Sequence, residues 1–239
     1  DRLKSATYRR LNLAVAVASF WLAAAAAFGP TFSVGYRLFT PHVAYTAALV
    51  HTLTGMLALG VWAKSVGGDY VPRIVRGTVG GLFALPPRTP SDNPEEAGSQ
   101  VALYSFAAAG LFLFALLPQL TSFPAATIPS ILGKRLSRAA SAWTFLAAVA
   151  TYCVKDAAER GRLTASTFAM LRRGLAVGAA GHLLVIFLKV AGVDGGGLLL
   201  PGNGLWEFYP SMVGAPKMAF ASVLVYATLC FATWGKPKK

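Results

Sequence analysis

Two histidines, His51 and His182, fall near the middle of long apolar stretches. Imidazole is costly to place among lipid tails, so an intramembrane histidine carries a functional expectation. Its nitrogens are good axial donors to haem iron, and a single ring could hold chlorophyll magnesium by similar chemistry. The stretches are second and fifth in the chain and would run in opposite directions, which puts both rings at similar depth. Each has small neighbours at helical spacing. Ala44, Ala48, His51, Gly55 and Ala58 recur at three- and four-residue steps and share one helix face. Gly174, Gly178, Gly181 and His182 read as a second such seam, with Gly174 and Gly178 in the close-packing GxxxG spacing.

Three chemistries compete for these histidines. They are cofactor-binding residues for a tetrapyrrole, chlorophyll or haem; or they sit in helix–helix seams and bond a carbonyl or hydroxyl, with Thr46, Thr52 and Thr54 as neighbours of His51; or they relay a proton or substrate. His42 lies nine positions before His51, on the opposite helix face, and reads as an interfacial group.

Other reactive groups are sparse. No carboxylate falls in the middle of an apolar stretch, which weighs against an ion-coupled pump. Asp156 and Glu159 adjoin Lys155 and Arg160 and read as a solvated or headgroup-level cluster, while Lys189 and Lys217 lie where they would snorkel. Cys153 and Cys230 read as small buried hydrophobes. The glycines lack the strand–turn–helix setting of a phosphate loop, and no serine has a histidine and an acid at plausible spacing. No catalytic residue and no metal site is assigned, and the chain is expected not to be an enzyme.

The elements that must position the histidines follow from composition. Of 239 residues 55% are hydrophobic and only 13% charged, against about a quarter charged in soluble domains. A bilayer crossing needs about 20 mostly apolar residues, and six stretches qualify: Leu11–Pro30, His42–Ala63, Gln100–Leu117, Ala139–Val154, Gly174–Val193 and Val213–Trp234. The expected fold is all-α, one integral membrane bundle of six transmembrane helices over residues 1–239, with short interfacial helices in the loops. Asn93-Pro94-Glu95-Glu96 has the order of a helix start, so the third helix should begin near Pro94. Segments 66–91 and 120–138 read as surface-lying, and 194–210 as a turn-rich loop.

Charge sets the orientation. Lys and Arg number 22 against 9 Asp and Glu, a net +13. With six crossings, sixteen cations fall on the side of the termini and six on the other. By the positive-inside rule both ends should face stroma, matrix or cytoplasm. The cations cluster between apolar runs, so anionic lipid headgroups and other membrane subunits are the expected partners, and nucleic acid is not. Trp62 and Trp234 fit an aromatic belt at span ends. The opening Asp-Arg-Leu-Lys reads as a trimmed N-terminus, as an imported organellar protein would have. The expected function is a structural, auxiliary or assembly subunit of a multisubunit energy-transducing membrane complex, plastid in preference to mitochondrial, with bound lipid, chlorophyll or haem. A small carrier or channel and a haem-binding electron carrier are the alternatives.

Overall fold

Long runs of Ala, Leu, Val and Phe without strand-like alternation fold as helices, because a helix satisfies its own backbone hydrogen bonds without water. In the computed structural model the described residues are 5–27, 41–66, 94–120, 131–190 and 216–234. They form six helices: α1 (Ala6–Ala27), α2 (Pro41–Ser65), α3 (Pro94–Leu120), α4 (Ile131–Glu159), α5 (Ser166–Val190) and α6 (Pro216–Trp234). No strand occurs among the described residues. Four stretches, Ala6–Ala27, His42–Ser65, Gly98–Leu116 and Ser166–Phe187, are long and apolar enough to cross a membrane, and Phe220–Trp234 is a shorter apolar helix. The protein is an all-helical bundle of membrane type.

Helix starts follow local chemistry. α2, α3 and α6 each open on a proline, whose fixed φ and missing N–H suit the first helical position. The end of α4 is set by Gly161, at φ +62°. Its N–H reaches Ala158 O at 3.1 Å, and Arg162 N–H reaches Ala157 O at 2.8 Å. Those two bonds make a Schellman cap. Residues 160–165 then turn the chain directly into α5.

Hydropathy locates the apolar centres of these helices and misses their ends. α1 begins at Ala6 and α5 at Ser166, both upstream of the expected spans, since polar residues outside hydrocarbon continue the hydrogen-bonded ladder. The largest difference is α4. Expected as the shortest span, it is the longest helix at 29 residues, and its first two turns come from the segment read as surface-lying. α3 likewise runs past Pro118. The expected interfacial helices, the 194–210 loop and most of 66–91 lie outside the described residues.

α4 is the hub, packed against α1, α3 and α5, while α6 packs between α3 and α5 and α2 lies along α1. The core is built from small residues around a few large ones: Ala107, Ala148 and Ala179 beside Tyr104, Leu111 and Leu229, all essentially buried. α3 and α6 approach closely where a side chain on Gly110 would strike Val225. Directions alternate. The start of α1, the end of α4, the start of α5 and the end of α6 meet at one end of the bundle, as their side-chain bonds show.

Candidate functional site

The charged groups at helix ends range from buried (Lys155, Arg172) through half-buried (Arg9, Arg10, Asp156, Glu159) to exposed (Arg160, Arg162, Arg173). At the common end of α1, α4 and α5, Arg10 bonds Asp156 at 3.0 Å, and Arg160 bonds the other oxygen of the same carboxylate at 2.9 Å. Lys155, 1% exposed, pairs with Glu159 at 2.7 Å one helical turn on. Both cations also lie over the Tyr152 ring, Arg10 at 5.0 Å and Lys155 at 5.7 Å from its centroid. A buried ammonium is tolerable only with such compensation. α1 covers part of the cluster read as solvated or headgroup-level: Lys155 is buried, Asp156 and Glu159 are half-buried, and Arg160 stays exposed. Close by, the Tyr8 and Thr167 hydroxyls meet at 3.4 Å, linking α1 to α5.

A second buried cation ties α5 to two further helices, α3 and α6. Arg172 on α5 is 6% exposed. Its Nε donates to the Tyr104 hydroxyl of α3 at 3.2 Å, and its Nη2 donates to the Thr233 carbonyl of α6 at 3.1 Å. Tyr104 in turn donates to the Ala232 carbonyl at 2.8 Å. Arginine thereby caps the last turn of α6, whose carbonyls have no partner within the helix. Neither Arg172 nor Tyr104 was singled out by sequence. The signal was present: Arg172, Leu175, Ala179, His182 and Ile186 recur at three- and four-residue steps. Arg173, its neighbour, is exposed.

The expected histidine seams fare differently. On α2 the seam is as read. Ala44, Ala48, His51, Gly55 and Ala58 are buried or half-buried while the residues between them are exposed apart from half-buried Ala47 and Thr52, and Gly55 faces the Phe20 ring of α1. Thr52 and Thr54 donate to the Ala48 and Val50 carbonyls of their own helix, at 2.8 and 2.9 Å. On α5 the seam is corrected. Gly174, Gly178 and Gly181 are exposed, with nothing within 4 Å of where a side chain would begin. His182 belongs instead to the face carrying Arg172 and Ile186, where it stacks on Tyr226 of α6 at 4.0 Å and 28°.

The structure therefore brings His182 to α6 and His51 to α1; their helices, α2 and α5, are not among each other's principal neighbours. His182 stacks on Tyr226 across the α5–α6 contact, and His51 lies half-buried on the face of α2 that carries Gly55. Among the described residues no group of three or more His, Cys, Asp or Glu could hold a metal. Cys153 is buried and Cys230 half-buried, its thiol 3.9 Å from the Ala176 carbonyl. The side chains of Lys189 and Lys217 lie outside the described set.

What this arrangement can do is mechanical and electrostatic. It locks five helix ends together and gathers positive charge at one end of the bundle. No family model, curated protein or solved structure matches the chain.

Proposed function

We propose that the chain is a membrane subunit without catalytic chemistry of its own, crossing the bilayer six times and serving as a structural, auxiliary or assembly component of a multisubunit energy-transducing complex, in a plastid membrane in preference to a mitochondrial one. The observation that carries this reading is α2. It rests on α1 by one narrow face, and Tyr45, Leu49, Leu53, Met56 and Leu57 on its other sides are each more than half exposed. A helix attached along one seam presents most of its circumference to whatever lies beside the bundle, lipid or the helix of a neighbouring subunit. Small residues on the outer face of α5 allow the same close approach. The buried ionic groups supply a second line of support. They are spent on ties between the chain's own helices, as a scaffold requires.

Native gel electrophoresis of a mild detergent extract tests the reading. Comigration with a large assembly, and loss of that comigration in a Leu53→Trp, Leu57→Trp double variant, is the expected result. A solitary particle that transports solute in liposomes would replace it with the carrier reading. A Soret band in the purified protein, lost on His51→Phe or His182→Phe, would replace it with the haem reading.

A further inference from the structure

A groove of roughly 800 Å³ opens between α1, α4 and α5, within the size range of small-molecule sites. Its two ends differ in chemistry. Towards the charged end of the bundle it is lined by the hydroxyls of Tyr8 and Thr167; further in come Leu11 and Ala147, with Trp143 at the far end and Gly174 on the α5 wall. From Thr167 to Leu175 the wall is about 12 Å long, at the rise of an α-helix. Gly174 leaves it unobstructed, since no atom lies within 4 Å of where its side chain would begin. Cations outnumber acids among the described residues at the polar end: Arg9, Arg10, Lys155, Arg160 and Arg162 belong to the start of α1, the end of α4 and the turn before α5, and the carboxylates of Asp156 and Glu159 are each engaged by a cation. Arg162, exposed in the turn before α5, adjoins this mouth: its carbonyl accepts from Ala165 N–H at 3.1 Å, next to the lining residue Ser166.

We infer that this groove holds an anionic membrane lipid, its acyl chain along the apolar wall and its headgroup at the Tyr8–Thr167 end. A polar mouth, an apolar floor and surplus positive charge at the mouth complement an acyl lipid bearing a phosphate or other anion. A zwitterionic lipid of the same chains matches the floor without matching the charge. The inference rests on the membrane placement proposed above and is independent of any assembly role.

The test uses the full chain purified in detergent and exposed to equimolar phosphatidylglycerol and phosphatidylcholine with identical acyl chains. Retained lipid is then quantified by mass spectrometry. One cation near the headgroup favours the anionic lipid by about fivefold, so at least that enrichment is expected in the unmodified protein. Gly174→Leu, which fills the groove at a position with open space, should abolish retention of both lipids. Gly178→Leu, on the same open helix face and outside the groove lining, should leave the enrichment intact and shows that a bulky residue on this face is tolerated. Arg162→Gln should lower the enrichment while preserving retention, and it does not depend on Gly174→Leu folding. Equal retention of the two lipids by the unmodified protein overturns the inference. So does undiminished phosphatidylglycerol binding by a folded Gly174→Leu protein, or undiminished enrichment in Arg162→Gln. Because the readout is on the isolated chain, failure to comigrate with an assembly would leave it standing.

Discussion

Glu159 and Arg160 are adjacent in sequence and belong to ion pairs of similar length, yet they should differ in energetic weight. Glu159 faces Lys155, whose side chain is 2% exposed, while the Arg160 side chain is 53% exposed. Removing one member of a buried pair strands the other in a medium that solvates it poorly, at a cost of several kcal/mol. Glu159→Ala is expected to destabilise the bundle by about 3 kcal/mol, in keeping with the loss of a counter-charge from a buried cation. Arg160→Ala should cost under about 0.5 kcal/mol, because water and salt screen an exposed pair. Denaturant titration of the detergent-solubilised protein separates these outcomes. The residue scale also shows what a sequence conceals. Lys155, Arg160, Arg172 and Arg173 look alike as basic residues at helix ends, and only packing decides that Lys155 and Arg172 are interior.

Among elements, helix pairs are set by how closely backbones can approach. α1 and α2 meet where Gly55 faces the Phe20 ring, and α3 and α6 meet where Gly110 faces Val225. Val225 is 4% exposed, and a β-branched side chain has few rotamers with which to retreat. Gly110→Ala therefore should force α3 and α6 apart, costing about 1–3 kcal/mol as overpacked cores do, despite alanine's better helix propensity. Gly60→Ala, where nothing lies within 4 Å, should be neutral or slightly stabilising. Thermal unfolding of the two variants side by side checks the difference. The pattern in α2 was legible beforehand because its small residues keep a three–four spacing over the whole helix. The glycines of α5 carry an equally regular spacing and yet face outward, since α6 and α4 engage the neighbouring stripe through Arg172, Leu175 and Ala179.

For the molecule as a whole, the side-chain ties give a direction to each helix they join. Tyr8 near the start of α1 touches Thr167 near the start of α5, and Arg172 in α5 holds Thr233 near the end of α6. The beginning of the first helix and the end of the last thus lie at one end of the bundle. If all six helices cross a bilayer, tags placed before Ala6 and after Trp234 should be modified by an impermeant reagent from the same side. Opposite reactivity would rule out the even number of crossings.

Helical class and membrane character could be read from the chain alone, because long apolar runs with few charges have few other stable forms and hydropathy is a sum over local residues. So could the seam on α2 and the start of α3 at Pro94, both of which follow from local spacing. Which cations are buried, which stripe of α5 meets its neighbours, and where each histidine goes were decided only when six helices packed. Those choices depend on atoms brought together from distant parts of the chain, Arg10 beside Asp156 and Tyr104 beside Arg172. A sequence pattern gives each helix its candidate faces; a neighbouring helix selects among them.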